Sequence, residues 1–176
     1  MVRANEFSYI VKLDEIGAGA SNVRLSADLA ARDGLLVRFD LVALDSLDAD
    51  LAVSRDAQGV LAKGRICAAL SQYCVATGDP VSAMIDEPMI IRFVPEPVVG
   101  ANAEIELEAD DCDTMFYDGQ GVDLGEAVAQ SLGLALDPYP RSPNAHERLK
   151  AAGVKAEDEV VPFGALAGLK DMLAKK

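Results

Sequence analysis

The chain has 176 residues, 51% of them hydrophobic, with 16 basic against 29 acidic side chains and a net charge of −13. That length suits one domain with a proper core, and the excess of acid argues against extensive direct contact with nucleic acid, which rests on Lys and Arg neutralising phosphates. No apolar run approaches the roughly 20 residues needed to cross a bilayer, the N-terminus has no secretory h-region, and three cysteines without a CxxC spacing fit a reducing compartment, so the expected location is cytoplasmic.

Taken in order, Phe7, Tyr9, Val11 and Leu13 alternate with polar neighbours, the period-two pattern of a half-buried strand. A glycine loop at 17–20 and a short extended piece, Val23 to Leu25, lead to Ser26, whose hydroxyl is placed to cap a helix over about 27–38. Leu29, Arg32, Leu36 and Phe39 would form its imperfect apolar face, with Gly34 weakening its middle. Three antiparallel strands follow as a meander over about 41–94, near 47–54, 60–74 and 81–94. In each, one parity is apolar: Leu47, Ala49, Leu51 and Val53; Val60, Ala62, Ile66 and Leu70; Ile85, Met89, Ile91 and Phe93. Turns are expected at Arg55 to Gly59 and Thr77 to Pro80, and Pro88 beside Glu87 marks a bulge or an edge position.

Residues 96–111 read as an acidic loop with at most a brief strand at 103–107, and Thr114 to Tyr117 as a final strand. Asp123 and Glu126 have the spacing of a capping box. The helix they open, 123–132, would bury Leu124, Ala127, Val128, Ser131 and Leu132, and Gly133 is suited to the left-handed position that closes it. Pro138 and Pro140 then stiffen Asp137-Pro138-Tyr139-Pro140-Arg141 into an extended strap. Residues 144–161 read as a linker, and Pro162 opens a short C-terminal helix. The expected architecture is α+β: an antiparallel sheet with packed helices, one domain over 1–143, then linker and short helix over 144–176.

Charge is concentrated rather than spread. Between Phe93 and Pro140 there are eleven acidic residues and no Lys or Arg, a distribution that steers basic partners inward and repels phosphate backbones. The strap residues Asp137, Pro138, Tyr139, Pro140 and Arg141 are the candidates for partner binding, because a pre-ordered backbone loses less entropy on docking. The competing reading, in which Tyr139 closes over the sheet, has equal standing at this point. Direct RNA binding would need Lys63, Arg65 and Arg92, with Arg24, Arg32 and Arg38, to gather into one patch.

Other constellations carry less. Cys67 and Cys74 lie seven apart in one expected strand and so fall on opposite faces. With Cys112 and His146 they match no structural zinc spacing. Asp110, Asp111 and Asp113 lack the glycine and terminal Glu of an EF-hand loop. Walker, GxGxxG, GxSxG and HExxH motifs are absent. The expectation is no cofactor, no metal and no enzymatic activity, with a metal-dependent hydrolase as the weakest alternative.

Taken together, EFSYIVKLDEIG, LLVRFDLVALDSLDADLAVSR, QYCVATGDPV, VDLGEAVAQSLGLALDPYPRSPNA and PFGALAGLK resemble, in order and spacing, the YceD family, in its alphaproteobacterial form. The resemblance covers most of 5–170 and is strongest from Asp123 to Pro143. It implies a non-catalytic part in the synthesis, processing or stability of large-subunit (23S) ribosomal RNA and in ribosome biogenesis, and in that setting the concentrated negative charge leads us to expect a basic ribosomal protein or a large-subunit precursor particle as partner. Many members have a cysteine two residues after the one matching Cys74 and another after the strap. Here Ala76 stands at the first place and no cysteine lies near Pro143, so a metal or thiol role for those positions does not carry over.

Overall fold

Strict alternation along three long runs makes the sheet, because each buries one parity of side chains and leaves the other wet. The computed structural model describes residues 6–96, 113–117, 119 and 121–154. In chain order these form β1 (Ile10–Lys12), β2 (Ser21–Ser26), α1 (Leu29–Arg38), β3 (Ala43–Asp56), β4 (Gly59–Tyr73), β5 (Pro80–Pro95), β6 (Asp113–Tyr117), β7 (Gly121–Asp123), α2 (Leu124–Ala135) and α3 (Ala145–Ala151). The fold is α+β, as expected. β2 to β6 form one five-stranded sheet in the order β2-β3-β4-β5-β6, and β1 pairs separately with β7. The meander β3-β4-β5 is antiparallel throughout, whereas β6 joins β5 in parallel, from Ile91 opposite Asp113 to Pro95 opposite Tyr117.

Inward parity is the one the alternation indicates. Leu47, Leu51, Val53, Val60, Ala62, Ile66, Leu70, Met89 and Phe93 are all at most 2% exposed. Together with α1 against β3 and α2 against β4, β5 and β1, they make one continuous core. Pro88 sits opposite Arg65 with no shift of register, so it makes no bulge against β4, and among the described residues no strand pairs with it on the other side. Met115 and Tyr117 extend the core from the sixth strand.

Several local expectations give way to tertiary contacts. Ser26 does not cap α1, because it is still paired with Asp48 in the sheet and Ala27 N–H donates to the Leu47 carbonyl; Asp28 takes the role, its carboxylate accepting from Ala31 N–H at 2.8 Å. The helix is also rotated from the expected face, with Leu29 exposed and Leu35 fully buried. Gly133 does not close α2. The helix runs through it to Ala135 and stops at Leu136, whose ψ of 142° is extended, as the Asp-Pro sequence that follows favours. A Cβ at Gly133 would lie 2.8 Å from the Phe39 ring, so this glycine serves the close approach of α1 and α2. The first strand is shorter than its alternation, since Ser8 and Tyr9 are engaged elsewhere. Residues 145–151, within the stretch read as linker, are helical, with Ala145 buried and Arg148 paired to Asp79 at 2.8 Å. The readings at 103–107 and at 162–176 lie outside the described residues.

The start of α2 is the most heavily bonded junction. Asp123 accepts from Ser8 Oγ at 2.7 Å, Tyr9 N–H at 2.8 Å and Glu126 N–H at 3.1 Å. Half of the capping box is thus formed as expected, but the Glu126 carboxylate is directed at Arg38 of α1, in a fork–fork pair at 2.8 and 2.9 Å. The hydrogen bonds from Arg38 hold the Glu126 carboxyl below the usual carboxylate range. Glu6 joins the same guanidinium at 3.3 Å.

Two stability predictions follow from this packing. Leu132 is 0% exposed, so Leu132→Ala should lower unfolding free energy by about 2–5 kcal/mol in urea titration; a loss under about 0.5 kcal/mol, the scale of surface substitutions, would contradict its core placement. Glu126→Gln should cost about 1–3 kcal/mol at neutral pH, the scale of a charge-assisted pair. Because the folded-state pKa is depressed, the stabilisation is present above the unfolded carboxylate value and is lost as pH falls through the folded one. The gap between wild type and variant should therefore narrow progressively as pH falls below the unfolded value of about 4.3, and a gap that stays constant throughout the acid range would refute the ionic origin.

Candidate partner-binding surface at the proline strap

Beyond α2 the chain crosses onto the turn between β4 and β5, not as the extended strap expected but with bends at Pro138 and Tyr139. Asp137 begins an Asx turn, its carboxylate accepting from Tyr139 N–H at 2.8 Å, while its carbonyl accepts from Gln72 Nε2 at 2.9 Å. Pro140 is buried, and its carbonyl accepts from Val75 N–H at 2.9 Å. Ser142 N–H donates to Cys74 Sγ at 3.3 Å, and the Ser142 and Thr77 hydroxyls meet at 3.5 Å. The turn is itself closed by Cys74 N–H to the Asp79 carbonyl and Gly78 N–H to the Cys74 carbonyl.

What this anchoring leaves outside is the ring of Tyr139, 73% exposed, with Tyr73 and Val75 of the underlying turn also about half exposed and Arg141 exposed. Tyr139 therefore does not close over the sheet. The strap candidates divide: Pro140 and the Asp137 backbone hold the segment down, and Tyr139 and Arg141 stand free of the core. Sequence reasoning missed Cys74, Thr77 and Ser142 as parts of this site, because nothing local to the 74–79 turn signals that a segment some 65 residues later will lie on it.

Cys74 has an environment that favours its thiolate. The Ser142 N–H first, then the Thr77 hydroxyl, bring its pKa down from 9.0 to about 6. The residue is nonetheless only 3% exposed, so its sulfur serves as a buried acceptor fastening the strap and lacks the access that reactive cysteines have. Cys67 is exposed on the solvent side of β4, while Cys74 falls just past the end of that strand, so the two do not share one strand as expected. His146 is on α3 and Cys112 lies outside the described residues. Among the described residues no group of three or more His, Cys, Asp or Glu side chains is placed to hold a metal ion, and no helix is long and apolar enough to cross a membrane.

The second candidate surface is the outer face of the sheet. Parity and register bring Arg24, Lys63, Arg65 and Arg92 onto it together, while Arg32 donates to the Asp45 carbonyl and Arg38 to Glu126 away from it. The four cations share the face with Asp48, Asp50, Asp56 and Asp86. Arg24 pairs with Asp50 at 2.6 Å, Arg65 with Asp86 at 2.7 Å and Arg92 with Asp56 at 3.0 Å. These hydrogen bonds draw the Asp56 and Asp86 carboxyls below their ordinary range. A face with four charges of each sign presents little net potential to a phosphate backbone.

Of the eleven carboxylates between Phe93 and Pro140, Glu96, Asp113, Asp123, Glu126 and Asp137 are among the described residues. Asp123 and Glu126 are consumed internally by the α2 junction, which leaves Glu96, Asp113 and Asp137 on the surface.

Because Tyr139 and Arg141 are exposed, the double variant Tyr139→Ala, Arg141→Ala should unfold within about 0.5 kcal/mol of wild type by thermal and urea denaturation. A loss several times larger would mean that these side chains support the fold.

Comparison with known proteins bears on the same segments. A family model described as Large ribosomal RNA subunit accumulation protein YceD matches residues 62–170, which include most of β4, β5, α2 and the strap. No curated protein and no solved structure matches the chain.

Proposed function

The chain belongs to the YceD family of large ribosomal RNA subunit accumulation proteins, and from that premise we propose that it is a non-catalytic factor acting through protein contacts. Membership gives it a part in the accumulation of large-subunit ribosomal RNA. The partner we infer is a basic large-subunit protein, met alone or on a precursor particle, in the cytoplasm, with the exposed side chains of the strap as contact points.

The observation that carries this reading is the disposition of charge. Each of the three arginines on the described outer face is paired with an aspartate, and the longest stretch without Lys or Arg runs from Phe93 to Pro140 and so includes the strap up to Arg141. Electrostatic complementarity of this kind raises association rates with cationic surfaces and disfavours phosphate. Direct RNA binding through Lys63, Arg65 and Arg92 is the alternative. It is disfavoured because docking a phosphate on Arg65 or Arg92 has to displace Asp86 or Asp56 first.

Titration of labelled protein against naked large-subunit ribosomal RNA and against purified precursor particles separates the two. At physiological salt, binding to particles should be measurable and binding to naked RNA weak or absent, with the former weakening as ionic strength rises. The Tyr139→Ala, Arg141→Ala variant should stay folded yet lower large-subunit ribosomal RNA levels in cells. Tight binding to naked RNA that vanishes when Lys63 and Arg65 are replaced would establish the alternative instead.

A further inference from the structure

β5 is paired with β4 along nearly its whole length, but among the described residues it meets β6 only from Ile91 onward. Just before that point a groove of about 400 Å³ opens between the inner face of β5 and the last turns of α2. Its floor is apolar, with Met89 and Ile66 nearly fully buried, and at its rim stands Leu134, 79% exposed. Glu87 occupies an inward-facing position, sharing parity with Ile85 and Met89, and Asp113 stands at the start of β6. Both are exposed and both line the groove, whose described lining includes no Lys or Arg. The last turn of α2 lines it too and carries no basic side chain, so the partial negative charge of the helix C-terminus is left unneutralised there.

Two carboxylates, a helix C-terminus and an apolar floor select a ligand that is cationic and partly apolar. A strand added to β5 is a poor occupant, since Pro88 has no N–H to give and an inward-pointing charge such as Glu87 is a known deterrent to edge pairing. Recognition through side chains remains. We propose that this groove docks a basic segment of a protein partner, with an apolar side chain against Met89 and Leu134 and Lys or Arg groups on Glu87 and Asp113. The inference rests on the basic protein partner put forward above and names where on the fold it is held.

The test uses the full chain with labelled Met and Leu methyl groups, titrated at low salt with a short alternating Leu-Arg peptide and with its Leu-Glu counterpart. Met89 and Leu134 resonances should shift with the first and not with the second. Glu87→Gln with Asp113→Asn should weaken the cationic peptide by about tenfold or more, and Leu134→Ala, an exposed position that leaves the fold intact, should also weaken it. Absence of shifts, equal shifts with both peptides, or unchanged binding by the charge-neutral variant would overturn the proposal. So would shifts that grow with protein concentration alone, which would make the groove a self-association face. Precursor particles that bind wild type and charge-neutral variant equally would remove the groove while leaving the proposed function standing. Wild-type protein that fails to bind particles would remove the proposed function and, with it, the partner assumed here.

Discussion

One carboxylate, Asp123, sits where three parts of the chain must meet, and the position of everything after it follows. It caps α2, accepts from Ser8 and Tyr9 of the N-terminal segment, and ends the strand β7 that pairs with β1. Three donors on one ionised acceptor make strong, short bonds, and Gly125 allows the two segments to touch: a Cβ there would lie 2.7 Å from the Tyr9 nitrogen. The next acidic residue, Glu126, reaches across to Arg38 and so ties α2 to α1. With both helices cross-linked at one end, Leu124, Val128 and Leu132 are held over the sheet at 0% exposure.

The strap depends on that placement in turn. Because α2 ends at Ala135 above β5, the Asp137 to Arg141 segment arrives at the β4–β5 turn, where backbone groups, Gln72 and the Cys74 sulfur receive it. Rigid anchoring under exposed side chains is the arrangement in which docking costs least conformational entropy. The same helix end forms one wall of the groove beside β5, so the two surfaces lie on either side of a single structural support. α3, through Arg148 and Asp79, braces the turn from beyond the strap.

Charge is used in two distinct ways. On the outer face of the sheet and at the α1–α2 contact, acidic residues neutralise arginines of the same chain, and their individual worth is modest where solvent screens them. Asp79 does the same for Arg148, whereas Glu96, Asp113 and Asp137 stand on the surface outside these pairs and colour the potential seen by a partner. A net charge of −13 therefore overstates the field at any one place and understates its direction.

Local pattern was enough to indicate the three long strands, their inward parity, the turns between them and the acid cap of α2, because each depends on side chains a few residues apart, whereas the strap expected to be extended bends at Pro138 and Tyr139. The family was legible on the same footing, from the order and spacing of those segments. What sequence could not settle were choices decided by atoms distant along the chain. Ser26 lost its cap to Asp28 because β3 holds it in a strand. Gly133 stayed helical because Phe39 needs the space a side chain would fill. β6 lies parallel to β5 by a register that no local pattern encodes. Whether Lys63, Arg65 and Arg92 gather on one face was left open by the sequence, and the folded sheet both brings them there and sets aspartates beside the two arginines. Tyr139 had two destinations of equal merit on local grounds, and the bonds from Val75 and Gln72 to the strap backbone are what turned it outward.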